Sequence, residues 1–208
     1  MKQFFAIPSL LAGLAGLLGA QEFHRATFNV GAGFTQPVGR TGDNLDMGWN
    51  VHGGAGVNFN PYVGAMLNVG YDHMGITSTT LSNFGVPGGD VHVLSATIDP
   101  IVHVNPHGHF DVYITGGGGF YHWYQEFTQP SVAVVTGFNP FFGFFPATVG
   151  TTQVLGSYSV NKPGWDIGAG VAFGSMLHGK FFAEAKYNRI FMSNARADYV
   201  PVTFGFRW

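Results

Sequence analysis

The sequence predicts an all-β fold, an eight-stranded antiparallel up-and-down β-barrel. From Glu22 onward the chain lacks helical periodicity, whereas apolar residues alternate with small or polar ones at every second position, in stretches of about ten residues. Only 10% of the 208 residues are charged, while 46% are hydrophobic and 16% aromatic. Because a soluble domain carries roughly 25% charged residues, we expect part of the surface of this protein to avoid water.

Residues 1–20 have the features of a secretory signal peptide. Lys2 gives a positive start, an apolar run covers residues 4–18, and small residues precede the predicted cleavage site. A membrane anchor is the alternative, but the run is short for a spanning helix of about 20 residues and contains Pro8. We therefore expect residues 1–20 to be removed and residues 21–208 to form a single barrel domain.

Eight strands follow from the alternation. In the clearest strand, Val63, Leu67 and Val69 fall on one face, and Asn68 and Asp72 fall on the other. An even number of strands allows an antiparallel ring to close. The predicted strands are 25–34, 49–59, 62–73, 94–104, 111–115, 165–173, 183–188 and 199–208.

The lengths of the strands and of their connections favour a barrel that crosses a membrane with its polar face inward. A soluble sandwich or lipocalin-like barrel also alternates, but with its apolar face inward. Here the strands approach the 9–11 residues that a tilted membrane strand needs. Short connections alternate with long ones, as in outer-membrane barrels. The short connections are 58–61, 105–108 and 174–179, and the long ones are 35–48, 74–90 and 127–163.

Aromatic residues at the predicted strand ends support the same interpretation, because aromatic girdles mark both interfaces of a membrane barrel. These residues are Phe59, Tyr62, Trp49, Tyr71, Tyr124, Trp165, Phe173 and Trp208. Outer-membrane lipid is therefore the first predicted partner.

The signal peptide and the closing segment VPVTFGFRW carry a family resemblance. The chain from residue 21 onward resembles the small outer-membrane β-barrel family, the group that includes the transmembrane domain of OmpA and the protein OmpX. The resemblance implies a location in the bacterial outer membrane. It also implies that Phe204, Phe206 and Trp208 form the C-terminal signal that the barrel-assembly machinery reads during insertion.

Charged residues on the inward face predict a sealed lumen. Eight strands enclose an interior that side chains just fill, and buried charges are kept only when they are paired. A path for protons or solutes is the alternative interpretation. The predicted interior charge cluster consists of Arg25, Asp99, Asp111, Glu184, Lys186 and Arg207.

Other chemistries are weakly supported. The chain has no cysteine and no basic stripe, which argues against thiolate zinc sites and nucleic-acid partners. His103, His107, His109 and Asp111 have side chains of the kinds that bind metal ions. Their spacing around the turn at 105–108 does not require them to converge on one point. The glycine-rich runs do not open a helix as a phosphate loop would, and GxSxG and HExxH are absent. We predict no catalytic residue, metal or cofactor.

The long segment 127–163 is the least ordinary part of the sequence. It places five phenylalanines within eight residues, namely Phe138, Phe141, Phe142, Phe144 and Phe145. Exposed, this cluster would contact lipid, a protein or a hydrophobic ligand; alternatively, the segment folds over the barrel mouth as a lid.

These observations predict a non-enzymatic protein with a structural or surface-interaction role in the cell envelope. The alternatives are a narrow channel or hydrophobic-solute conduit and, with less support, a lipid-modifying enzyme.

Overall fold

A computed structural model describes residues 25–106, 108–175, 179–193 and 195–208 of this chain. The predicted signal peptide and His107 lie outside the described residues. Eight strands follow one another along the chain: β1 (Ala26–Pro37), β2 (Gly48–Asn58), β3 (Val63–Gly75), β4 (Gly88–His103), β5 (Phe110–Asn139), β6 (Gly143–Ser175), β7 (Gly179–Phe191) and β8 (Arg196–Arg207). A 3₁₀ turn (Gly39–Thr41) follows β1, and a short helix α1 (Ser78–Phe84) follows β3.

The strands close into a barrel in which every strand pairs antiparallel with its neighbours in the sequence, and β1 pairs with β8. The prediction of an eight-stranded antiparallel up-and-down barrel is therefore confirmed. No helix in the described part of the chain is long and apolar enough to cross a membrane.

The connections give the barrel two different ends. At the turn end, residues 59–62 and 104–109 join β2 to β3 and β4 to β5, and Ser175 pairs with Gly179 where β6 meets β7. At the opposite end, which we call the loop end, the connections 38–47 and 76–87 are long. The connection between β7 and β8 at the loop end is short, so the predicted alternation of short and long connections is incomplete.

The largest difference from the predicted strands lies in segment 127–163. Instead of forming an irregular loop, these residues extend β5 and β6 as one hairpin that turns at residues 140–142. Its pairing runs without interruption from Gln129 with Gln153 to Asn139 with Gly143. We call residues 129–153 the ribbon. Valine and phenylalanine occupy both faces of the ribbon, and this breaks the apolar–polar alternation by which the other strands were predicted.

The inward and outward faces follow the predicted alternation. Leu67, Ile98 and Ile114 point outward and are exposed, whereas their inward neighbours Met66 and Asp99 are buried. The outer wall of the barrel is therefore an apolar surface.

The interior has three layers. Near the turn end lies an apolar cluster of Met66, Ile101, Tyr113, Ala172 and Phe182. Buried polar and charged side chains fill the middle of the barrel. Near the loop end lies a second apolar cluster, made of Leu45, Met74, Ile76, Val91, Val93, Tyr121, Trp123, Ile190, Ala197 and Tyr199.

Two inward glycines make room for the buried tyrosines. A Cβ atom on Gly170 would lie 2.4 Å from the ring of Tyr113, and one on Gly164 would lie 2.7 Å from the ring of Tyr121. The small residues of the alternating pattern thus allow bulky side chains from neighbouring strands to fill the lumen.

Candidate functional site

Lys186 lies at the centre of a buried charge cluster in the middle layer of the barrel. Its Nζ donates a hydrogen bond to Oδ2 of Asp99 at 2.5 Å and lies 3.7 Å from Oδ1 of Asp166 and 3.8 Å from Oε1 of Glu184. Lys186 is only 6% exposed and Asp99 is fully buried. We call Asp99, Asp166, Glu184, Lys186 and Arg207 the lumen cluster.

Arg207 connects the lumen cluster to the apolar layer at the turn end. Its Nη2 lies 3.9 Å from Oε2 of Glu184. Its guanidinium lies over the ring of Tyr113 at 4.4 Å and near the ring of Phe182 at 5.4 Å. A desolvated cation over an aromatic face is stabilised by about 2 kcal/mol, so Arg207 both pairs a carboxylate and packs the lumen.

Of the predicted interior charges, the structure brings together Asp99, Glu184, Lys186 and Arg207. Arg25 lies elsewhere: it is exposed, and placing it in the interior cluster was wrong. The closing register explains the difference, because β8 pairs Arg207 with Asn29. Arg25 is four residues nearer the N-terminus than Asn29 and extends beyond the end of β8.

Asp111 is buried but belongs to a different contact. Its Oδ2 hydrogen-bonds Nδ1 of His103 at 2.6 Å, and its Oδ1 accepts from the backbone N–H of Asn105 at 3.3 Å. Asp111 therefore fixes the turn between β4 and β5, and its prediction as a member of the central cluster was wrong. His109 is exposed. Among the residues that the structure describes, no group of three or more His, Cys, Asp or Glu side chains could hold a metal ion.

Sequence reasoning missed Asp166 and a second polar network. Asp166 is the one charged residue in the predicted strand 165–173, and it lies on the polar face of that strand. This position indicates an inward, buried charge. In the second network Thr35 donates to Asp72 at 2.5 Å, Asn50 donates to Thr35 at 3.2 Å, and Thr203 donates to Asn50 at 2.9 Å. These residues join β1, β2, β3 and β8 by contacts that sequence spacing does not reveal.

The loops close the lumen at the loop end. Leu45 and Ile76 lie in the connections after β1 and β3, form a bridge with each other and are almost fully buried. Leu81 of α1, Phe127, Val160 and Met192 pack against the same apolar cluster. Apolar side chains thus fill the lumen above and below its charged middle layer.

The ribbon differs chemically from the barrel. Residues 127–161 contain no aspartate, glutamate, lysine, arginine or histidine. At its end the five phenylalanines predicted as a hydrophobic cluster form what we call the tip. Phe138 contacts Phe144 with ring centroids 5.1 Å apart, and Phe142 contacts Phe145 at 5.9 Å.

The tip does not fold over the barrel mouth as a lid. Phe141 is 93% exposed and Phe142 is 71% exposed. Phe138 and Phe144 are also largely exposed, and Phe145 is partly covered. The structure therefore favours an exposed hydrophobic cluster.

The residues of the predicted insertion signal lie on the outer wall at the turn end. Phe204, Phe206 and Trp208 are each partly exposed, and the rings of Phe206 and Trp208 lie 6.1 Å apart. Trp208 also stacks near Phe28 of β1 at 6.3 Å. Their recognition by an assembly machinery stays a prediction.

Aromatic side chains also mark both ends of the apolar wall. Toward the loop end, Trp49 contacts Tyr71 with ring centroids 5.4 Å apart, and Trp165 contacts Tyr187 at 5.7 Å. Toward the turn end, the exposed aromatics include Phe59, Tyr62, Phe173 and Trp208. An apolar belt between two aromatic rows is the surface that a bilayer covers.

Comparisons with known proteins agree with this geometry. Residues 9–207 match the family model described as outer membrane protein beta-barrel domain. No curated protein matches the chain.

Two solved structures are similar in fold. Neisserial surface protein A is 14% identical, with 88% of this chain and 95% of that chain covered and a TM-score of 0.55. A major outer membrane protein from Thermus thermophilus is 15% identical, with 89% and 100% covered and a TM-score of 0.51. The match to the family model spans nearly the whole sequence, so this chain belongs to the outer membrane protein β-barrel family and is an integral protein of the bacterial outer membrane.

Proposed function

We propose that this protein is a non-enzymatic barrel with a sealed lumen that acts at the cell surface, where the tip of the ribbon contacts an apolar partner or surface. The observation that carries the proposal is the exposure of the tip phenylalanines at the end of a hairpin that extends from a filled barrel. The barrel anchors the ribbon and contributes to the integrity of the envelope.

The filled lumen supports a non-conducting role. The lumen cluster holds two cations and three carboxylates within ion-pair distances. Separating them to open a path would leave buried charges uncompensated, which costs several kcal/mol per ion. The apolar clusters above and below would also have to part. A channel or conduit would therefore require a large rearrangement.

The tip supports a role in surface contact. Burying one phenylalanine side chain stabilises a complex by about 1.5–3 kcal/mol, and exposed apolar patches on monomeric proteins commonly mark interaction sites. In outer-membrane barrels the short turns face the periplasm and the longer loops face outward. By that rule the tip projects away from the cell, where an external partner can reach it.

The proposal is tested with the double variant Phe141→Ser/Phe142→Ser. Whole cells that display the protein are partitioned between buffer and hexadecane, an apolar surface of known composition. We expect cells with the unchanged protein to enter the hexadecane phase several-fold more than cells with the double variant. Phe84→Ser is the control, since Phe84 is also exposed but lies on α1, away from the tip.

Two outcomes would overturn the proposal. Equal partitioning of the unchanged protein and the double variant would show that the tip does not mediate apolar contact. Stepwise conductance of the purified protein in planar bilayers would show that the lumen opens, and would favour the channel. Mass analysis of lipid A from cells with and without the protein tests the alternative that the protein is a lipid-modifying enzyme. A difference in mass would contradict the non-enzymatic role.

A further inference from the structure

We propose that the tip inserts into the phospholipid bilayer of a second membrane, which lies opposite the membrane that holds the barrel. The inference rests on the proposed function, because it names the apolar partner of the same phenylalanines. The two are separable, since the tip of a barrel that does not bind lipid can still contact an apolar protein or ligand.

The phenylalanines of the tip are exposed on both faces of the ribbon. Phe138 and Phe144 are direct partners and share one face, where they are 65% and 76% exposed. Phe142 packs against Phe145 of the other face and is 71% exposed. A flat protein surface would cover one face and leave the other in water, whereas lipid tails surround a tip that enters them. Exposure on both faces therefore suits a fluid apolar phase.

The ribbon also lacks the groups that a bilayer excludes most strongly. Residues 127–161 contain no ionisable Asp, Glu, Lys, Arg or His side chain, and charged side chains are the most costly to bring into lipid. The polar side chain at the turn already has a partner, because Oδ1 of Asn139 accepts a hydrogen bond from the backbone N–H of Phe141 at 2.9 Å. Pro140 and Pro146 have no backbone N–H that could lose its water. Few polar groups therefore oppose entry of the tip.

The strand edges of the ribbon limit how deeply it can enter. Below the tip, β5 and β6 pair only with each other in the part of the chain that the structure describes, and hydrocarbon does not tolerate unpaired strand edges. From Phe138 to the turn the tip spans roughly 10 Å at about 3.3 Å per residue, close to the depth of about 5–10 Å reached by segments at the headgroup boundary. We therefore expect shallow insertion that stops near the direct pair of Thr136 and Pro146.

The ribbon holds the tip away from the membrane of its own barrel. Tyr124 belongs to the aromatic row at the loop end, because direct strand pairing joins it through His92 and His73 to Trp49. Asn139 lies 15 positions after Tyr124 in the same strand, roughly 50 Å along it at about 3.3 Å per residue. The longer loops of outer-membrane barrels face outward. An opposing membrane is therefore the bilayer that the tip meets.

The experiment places a fluorophore at the tip of the full chain, which has no cysteine of its own. Phe142→Cys is labelled with nitrobenzoxadiazole, whose emission rises when water is excluded, and the protein is held in phosphatidylcholine nanodiscs. Ser131→Cys, labelled in the same way, is the matched control near the base of the ribbon. On addition of phosphatidylcholine vesicles we expect emission from the Phe142→Cys variant to rise several-fold and emission from the Ser131→Cys variant to stay unchanged.

A quencher shows which bilayer the tip enters. Lipids with a nitroxide on the acyl chain are placed either in the added vesicles or in the nanodisc. We expect the vesicle lipids to quench the Phe142→Cys variant and the nanodisc lipids to leave it unquenched. Quenching by the nanodisc lipids alone would show that the tip contacts the membrane of its own barrel, and would overturn the proposal.

Substitutions and lipid charge separate the tip from other surfaces of the protein. Binding is measured as the fraction of nanodiscs that float with the vesicles in a density gradient. Phe141→Ser/Phe142→Ser should lower this fraction by about tenfold or more, whereas Phe84→Ser on α1 should leave it unchanged. Because the ribbon is uncharged, phosphatidylcholine vesicles and vesicles that contain phosphatidylglycerol should bind equally. A requirement for phosphatidylglycerol would assign the binding to charged loops and overturn the inference.

The outcomes distinguish this inference from the proposed function. Unchanged emission from the Phe142→Cys variant, or an equal rise in both labelled variants, would overturn insertion of the tip. If insertion fails while the tip still carries cells into hexadecane, the proposed function stands and its partner is an apolar protein or ligand. If the double variant also leaves partitioning into hexadecane unchanged, both proposals fail.

Discussion

The ribbon continues two of the eight barrel strands, β5 and β6, but differs from the barrel in its strand pairing and in the polarity of its faces. Within the barrel, β5 pairs on both sides, its outward residues from Phe110 to Phe120 carry no polar side chain, and its inward residues face the filled lumen. Within the ribbon, β5 pairs with β6 in the part of the chain that the structure describes, carries no charge and has valines on both faces. The barrel closes its own strand edges and pairs charges within its lumen, whereas the ribbon leaves apolar side chains exposed.

The largest predicted effect lies in the lumen. Lys186→Ala removes the central cation and leaves Asp99, Asp166 and Glu184 buried without it. We expect the free energy of unfolding in vesicles, measured by urea titration of tryptophan fluorescence, to fall by about 3–5 kcal/mol. Lys162→Ala is the control, because Lys162 donates to Ser193 in an exposed contact, and it should change stability by less than about 0.5 kcal/mol. Equal effects of the two variants would contradict the assigned role of the lumen cluster.

One glycine in the barrel and one in the ribbon allow the tightness of packing in the two regions to be compared directly. A Cβ atom on Gly119 in the barrel wall would lie 2.0 Å from the backbone oxygen of Ala96, whereas one on Gly150 in the ribbon meets nothing within 4 Å. Gly119→Ala should therefore destabilise the protein by about 1–3 kcal/mol through the strain of overpacking. Gly150→Ala should leave stability unchanged within about 0.5 kcal/mol. A larger effect in the ribbon, measured by the same urea titration, would reverse the comparison.

A smaller effect is expected in the second polar network. Thr203→Val removes the hydroxyl that donates to Oδ1 of the buried Asn50 at 2.9 Å. Leaving that acceptor unsatisfied should cost about 1–2 kcal/mol. Thr148→Val makes the same chemical change at an exposed position in the ribbon and should cost less than about 0.5 kcal/mol. The two-region comparison fails if the ribbon variant proves the more destabilised in urea.

The same division explains what the sequence could predict. Alternation depends on one dry face and one polar face, so it located all eight barrel strands and the inward positions of Asp99, Glu184, Lys186 and Arg207. It failed for the ribbon, because valine and phenylalanine lie on both of its faces and the polar residues do not fall on one face alone. The sequence therefore predicts a loop at 127–163, where the structure has two paired strands.

The unknown register between β1 and β8 limited how well the contacts inside the barrel could be predicted. Arg25 and Arg207 come from strands that must meet, but periodicity does not say by how many residues the strands are offset. The offset pairs Asn29 with Arg207 and leaves Arg25 outside. Asp111 was misplaced for a similar reason: its pairing with His103 depends on the shape of a turn rather than on the face of a strand.

The central claim is that the barrel folds on its own and the ribbon serves contact. It is tested most directly by replacing residues 130–152 with Asn-Gly, a turn that suits the direct pair of Gln129 and Gln153. Stability is measured by urea titration in vesicles, with heat-dependent gel mobility as the check of insertion. We predict a free energy of unfolding within about 0.5 kcal/mol of the full chain, together with loss of hexadecane partitioning. Failure of the shortened chain to insert, or a large loss of stability, would contradict the claim.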